Sequence, residues 1–304
     1  MLHASPFILD FMKKYNYPAE ATALFTKILT RLDDDPDFGR RFDAIRESYL
    51  SGTPFDDALQ NKLHLLGTSY AYSPYSIDFV FWLSMTEDLK ARYEARGIDE
   101  KVYWETMNDL RCKLLECIEC KGVPGTFTNW ADGFFRMRRF AYGRFQYEVA
   151  SFNWHYGVVM RSGYLVRPGD TYINFHIPSS GVPLIDEVRY ASYREAYKHY
   201  IDLFPEGKVL FGCNSWLLYP RHREFLPEGM NIRSFIEDFE LIAWSESENF
   251  DNAWRIFGKS ADLPAKELPR DTKLRRAYAD WLAAGHKSGT GFGLFLFDGE
   301  QIVM

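Results

Sequence analysis

Cysteine is scarce in this chain. There are four in 304 residues, and three of them, Cys112, Cys117 and Cys120, fall within nine positions. That is not the spread, paired framework of a disulfide-stapled secreted domain. Long apolar runs are missing too: none approaches the roughly 18–20 residues a membrane-spanning helix needs. The opening stretch MLHASPFILDFMKKYNY has no basic leader followed by an unbroken apolar segment, so a secretory signal is not expected. No run of lysine or arginine dominates and the formal net charge is −6, which argues against nucleic acid or an anionic membrane as partner. Repeats and low-complexity segments are lacking, and no His/Asp/Glu set has metal-ligand spacing. Together these absences predict a reduced, cytoplasmic protein that holds no metal. What is abundant is apolar material: 46% hydrophobic and 17% aromatic residues, enough to pack one large or two ordinary domains.

The first 120 residues read as helices. Asp35-Pro36 and Ser73-Pro74 are helix starts, a capping side chain followed by a proline where no N–H is needed. The run Asp33-Asp34-Asp35 is therefore helix-terminus chemistry rather than a metal site. Tyr75 to Arg96 is apolar nearly all round in its first half, which predicts one central buried helix stopped by Gly97. Asp99 caps the next helix, where Tyr103, Met107, Leu110, Leu114 and Cys117 recur at 4-3-4-3 spacing. Gly122 and Pro124 end it.

Beyond about residue 140 the period changes. Gly143-RFQYEVASF, Tyr156-GVVM and Tyr164-LV read as strands. Tyr172 to Ile177 is a strand with Tyr172, Asn174 and His176 on one face and Ile173, Phe175 and Ile177 on the other. A helix from about Leu184 carries Tyr190, Tyr193, Tyr197, Tyr200 and Phe204 at helical spacing. Val209 to Leu217 is a second apolar strand, with Cys213 and Ser215 on one face and Asn214 and Trp216 on the other. The helical crossover between these strands predicts that they run parallel. A helix follows over Arg233–Phe239. Asp298-Gly299 suits a two-residue type I′ turn in a terminal hairpin. The fold expected is α+β: a helical domain over 1–138, then a mixed-sheet domain with flanking helices over 139–304.

Glu94-ARGIDEKVYWETMNDLR, Gly143-RFQYE, His176-IPSSGVPL, Cys213-NSWLLYP and Leu226-PEGMNIRSF together resemble a bacterial family of acyltransferase-like proteins, over essentially the whole chain and in the family's order. The resemblance implies a C-terminal domain similar to the GNAT acyltransferase fold, with acyl-coenzyme A (acetyl-coenzyme A or a longer ester) as co-substrate where two parallel central strands splay apart. It also implies that the loop after the first of these strands, Ile177, Ser179, Ser180, Gly181 and Val182, holds the pyrophosphate with the following helix start. Free N–H groups and a positive dipole end favour an anion there, and Gly181 admits close approach. The loop departs from the usual GNAT signature. The leading Arg or Gln is absent, Pro183 stands where a second small residue belongs, and Asp186 and Glu187 occupy the first helical turn.

Transfer from a thioester to an amine requires a base, donors for the carbonyl oxygen and a proton for the thiolate. His176 is the candidate base, Glu148 an alternative base, and Tyr219 the candidate acid. Asn214 and Trp216 are candidates for lining the acceptor site. A rival mechanism makes Cys213 a nucleophile paired with His176 or His155, although a cysteine in an apolar strand is more often inert. Cys112, Cys117 and Cys120, with Cys213, match a ferredoxin spacing, but on a helix Cys112 and Cys117 point roughly 140° apart. Gly289-T-G291-F-G293 precedes a strand and is no dinucleotide fingerprint. Arg136, Arg138, Arg139 and Arg144 read as cations on a solvated face, with phosphate recognition as the alternative. The expected function is an acyl-coenzyme A-dependent N- or O-acyltransferase. Its acceptor is a small molecule that attacks the thioester directly, with the helical domain helping to wall the acceptor pocket. The alternative is a non-catalytic ligand-binding or regulatory protein that keeps the fold.

Overall fold

Acidic caps and prolines set the helix starts of the first part of the chain. The Asp35 carboxylate accepts the N–H groups of Asp37 and Phe38, each at 3.1 Å, and Asp99 accepts that of Lys101 at 2.8 Å. The computed structural model describes residues 2–303, which divide into two compact units, the first ending at Arg138 and the second beginning at Arg139. The first unit holds α1 (Pro6–Lys14), α2 (Ala19–Asp34), α3 (Pro36–Leu50), α4 (Asp57–Ser69), α5 (Pro74–Leu83), α6 (Thr86–Ala95), α7 (Glu100–Lys121) and the short α8 (Asp132–Phe135). Helix α5 is the central one, burying Ile77 through Leu83 without a break. Where one helix was expected over Tyr75–Arg96, there are two. Ser84 Oγ donates to the Phe81 carbonyl at 2.8 Å and Thr86 Oγ1 to that of Leu83 at 2.7 Å, and these local bonds compete with the helical ladder. Helix α7 is continuous and its stripe from Tyr103 to Cys117 is buried. Burial pushes the Cys112 and Cys117 thiols up to about 12, so both are inert packing groups. None of the helices among the described residues is long and apolar enough to cross a membrane.

The second unit is built on a seven-stranded mixed sheet. Its strands are β1 (Arg139–Tyr142), β2 (Phe145–Ser151), β5 (Thr171–His176), β6 (Val209–Ser215), β7 (Glu240–Ser247), β8 (Ser288–Phe297) and β9 (Ile302–Val303). Strands β3 (Val158–Val159) and β4 (Leu165–Val166) form a separate ribbon. The order is β1-β2-β5-β6-β8-β7, with β9 beside the end of β8. Among the described residues only β5 and β6 pair in parallel, as the crossover through α9 (Asp186–Tyr200) requires. The remaining helices are α10 (His222–Phe225), α11 (Asn231–Glu237), α12 (Trp254–Phe257) and α13 (Lys273–Ala283). Helix α9 covers one face of the sheet, where Tyr193 meets Phe145, Phe211 and Phe295 at ring-centroid distances of 5.6, 6.1 and 4.9 Å. Within that layer Arg189 grips Asp238 through two contacts of 2.7 and 3.0 Å, and both side chains are sealed from solvent.

Three details differ from the sequence reading. Strand β6 stops at Ser215, because Ser215 Oγ accepts the Leu217 N–H at 3.2 Å and turns residues 216–218 into a 3₁₀ segment. Trp216 therefore does not share a strand face with Asn214. The terminal hairpin pairs Phe297 with Ile302, so its turn has four residues, not two; the Asp298 carboxylate closes it by accepting the N–H groups of Glu300 and Gln301 at 2.9 and 2.8 Å. The glycines of β8 make room on the α9 face: a Cβ on Gly289 would strike the Tyr219 ring, on Gly291 the Leu218 carbonyl, and on Gly293 the Phe239 ring.

Candidate functional site

The chemistry-bearing residues gather where β5 and β6 part. Along that parallel pair only Ile173↔Phe211 and Asn174↔Gly212 are in register. Beyond them β5 stays with β2, where His176 opposes Gln146, while β6 stays with β8, where Asn214 opposes Phe292. The sheet therefore forks at Asn174 and Gly212, with His176 and Asn214 on its two prongs. Strand alternation puts Gln146, Glu148, Tyr172, Asn174, His176, Asn214 and Phe292 on the face away from α9.

Glu148 and His176 meet on that face. One carboxylate oxygen lies 2.6 Å from His176 Nε2, and the other accepts from Arg139 Nη2 at 3.0 Å. The Asn174 amide lies 3.2 Å from the same ring nitrogen. Burial acts to raise the Glu148 carboxyl, but the His176 hydrogen bond and the Arg139 charge outweigh it and bring it down to about 2. A carboxylate held that low is a weak base at neutral pH, yet it is a firm acceptor. It selects the imidazole tautomer with hydrogen on Nε2, which leaves the lone pair of the neutral ring on Nδ1. The bond to Glu148 thus fixes the orientation of the His176 ring. Both side chains keep about a fifth of their surface exposed, 23% and 21%, enough for access and little enough for a strong mutual bond.

Arg139 is the residue that sequence reasoning missed. Its place in a block of four arginines suggested a solvated face, and the structure corrects this: β1 sets it against Glu148 with only 8% exposure. The other three diverge. Arg136 and Arg138 hold Asp132, whereas Arg144 reaches the loop after β5. The informative signal was the spacing Arg139–Glu148 across a Gly143-Arg144 hairpin, which makes the two cross-strand partners.

That loop, residues 177–185, is tied by two arginines. Arg144 donates to the Pro178 and Val182 carbonyls at 2.8 and 2.9 Å, and Arg189 to the Leu184 carbonyl at 2.5 Å. The peptides are trans, so the N–H groups of Ser179 and Ile185 point away from those cations; Pro183 has none. Gly181 adopts φ +78° with open space where a Cβ would sit. Ser180 Oγ accepts from Val182 N at 3.4 Å.

Other expected site residues have partners of their own. The Tyr219 hydroxyl donates to Glu246 on β7 and its ring lies on Gly289. Burial and then Glu246 push it well above the ordinary tyrosine value. Trp216 packs beside His222 and Tyr278. Cys213 is buried on the α9 face, where desolvation alone raises its thiol; it cannot serve with His176, which faces the other way.

Residues 140–295 match the family model of the GNAT-like C-terminal domain, and residues 6–137 that of the N-acyltransferase N-terminal domain. No curated protein matches the chain. Among solved structures, an acyltransferase in complex with decanoyl-CoA and teicoplanin is 20% identical, covers 95% of this chain and 98% of its own, and superposes with a TM-score of 0.62. An acyltransferase mutant with octanoyl-CoA gives 20%, 94%, 98% and 0.62. A decanoyl-CoA complex gives 21%, 94%, 98% and 0.60. At such identity the likeness establishes the fold.

Proposed function

The chain belongs to the GNAT-like C-terminal domain family, and from that premise we propose that it is an acyl-coenzyme A-dependent acyltransferase modifying an amine or hydroxyl of a small-molecule acceptor. The observation that carries the reading is the fork: a parallel pair in register at only two positions, with an oriented histidine at its mouth. Acyl-coenzyme A supplies the activated carbonyl when bound. Ile177, Ser179, Ser180, Gly181 and Val182 would hold its phosphates, since their loop is fixed by cations, keeps space beside Gly181 and directs the Ser179 N–H away from Arg144. Asn214 on the opposite prong offers an amide to substrate.

His176 acts as the base. It takes the proton of the acceptor nitrogen or oxygen as that atom bonds to the thioester carbon. The C–S bond breaks, and His176 returns the proton to the departing thiolate. Glu148 stabilises the imidazolium in between, and Arg139 keeps Glu148 ionised.

Thermal melts with coenzyme A and its acetyl, octanoyl and decanoyl esters test the reading. Ligand at a thousand times its Kd adds about 4 kcal/mol of stability. A melt unmoved by every ester, with no thiol released from any of them, would overturn the enzyme reading and leave the non-catalytic one.

A further inference from the structure

The prong opposite His176 carries a stack of aromatic rings that the proposed reaction does not use. Phe292 stands on β8 across from Asn214, on His176's face of the sheet. Trp154, from the segment after β2, lies over it at 5.7 Å between centroids and 25° between planes, and Phe152 continues the stack at 5.7 Å and 5°. Tyr172 closes the base of the fork. Its ring lies across Gly212, where a Cβ would come within 2.7 Å, and meets Phe292 edge-on at 6.0 Å and 74°. Tyr156 then stands at 88° to Trp154, 5.7 Å away and 60% exposed, making a corner of two ring faces. Phe152 is enclosed like a core aromatic, but Trp154 and Phe292 are part-exposed and the row ends at solvent with Tyr156; Asn214, the cross-strand partner of Phe292, is itself exposed.

We infer that Trp154, Tyr156 and Phe292 form the acceptor subsite, and that the acceptor carries an aromatic ring close to the amine or hydroxyl it presents to His176. An aliphatic tail laid on an open corner would keep water on one side and gain little burial. A flat ring gains offset or edge-on contact with both walls. The inference rests on the acyltransferase reading of the fork and adds the chemical class of the acceptor.

The test pairs phenethylamine with its saturated counterpart, cyclohexylethylamine, at saturating octanoyl-CoA. Octanoyl transfer to each amine is followed by mass spectrometry, and equilibrium dialysis of each amine is run with coenzyme A present. The aromatic amine should lead by about tenfold in kcat/KM, carried by KM. Trp154→Ala should bring that ratio close to one while leaving the KM for octanoyl-CoA unchanged, and Trp154→Phe should restore most of it. The two amines handled alike by the wild type, or a preference that survives Trp154→Ala, would overturn the inference. If neither amine is acylated, the enzyme reading is in question and dialysis decides this one. Preferential retention of the aromatic amine, lost in Trp154→Ala, supports the subsite; equal retention overturns it.

Discussion

The second unit carries two acid–base pairs on opposite faces of one sheet, and environment separates their roles. Arg189–Asp238 lies under α9, sealed and bidentate. Burial pushes the Asp238 carboxyl above its ordinary value against the pull of Arg189. His176–Glu148 lies on the other face at the fork, still reachable by solvent, and there the partners prevail and bring the carboxyl down to about 2. The sealed pair locks α9 to the end of α11. The open pair holds a proton acceptor in a chosen orientation. Charge pairing alone therefore marks neither structure nor catalysis; access to a cleft distinguishes them.

The sharpest way to break the contrast is to truncate one member of each pair. His176→Ala should lower turnover by about 10²–10⁴-fold with coenzyme A affinity and melting temperature nearly unchanged. An unaltered rate would remove His176 from the reaction. Arg189→Leu should do the reverse, costing about 3–5 kcal/mol of stability because Asp238 is left buried without its cation; a shift in urea midpoint reads it.

Glu148→Gln should reduce turnover by at least about tenfold by weakening the hold on the tautomer. It should also alter acid unfolding. The folded-state value of Glu148 lies below the unfolded one, so its contribution to stability is complete above the ordinary 4.5 and is lost as pH falls through about 2. Acid melts of the variant should lack that portion; identical curves would mean the bond to His176 contributes nothing. Smaller still is Tyr219→Phe, which should leave turnover within about twofold, since the hydroxyl serves Glu246 rather than the fork. A large fall would return Tyr219 to the proton path.

Much of this was legible from local chemistry. Asp35-Pro36, Asp99 and Gly122 mark helix ends whose causes are contained in two or three residues. The parallel β5/β6 pair followed from a helix placed between two apolar strands. His176 and Glu148 were both visible as candidates, but not as partners, because their meeting depends on the Glu148↔Asn174 register across β2 and β5. Arg139 was obscured by its neighbours: charge counted along the chain ignores that a hairpin sends Arg139 inward and Arg144 to a loop. Strand β7 (Glu240–Ser247) passed unnoticed because its glutamates and serines blur the alternation. The Gly289–Gly293 pattern, expected ahead of a strand, lies inside β8, and its purpose, making room for the 216–219 segment and Phe239, appears only in three dimensions.

Two rungs between β5 and β6 also make the sheet mechanically uneven. Strands β6 and β8 share seven registered positions, so their amides should exchange with deuterium only on global unfolding. The fork lies between two half-sheets hinged at a short seam, and its amides are free to exchange through small local openings. A ligand wedged between the prongs would act as the missing rungs, slowing exchange at Phe175 and Cys213 well before it changed anything at the rim.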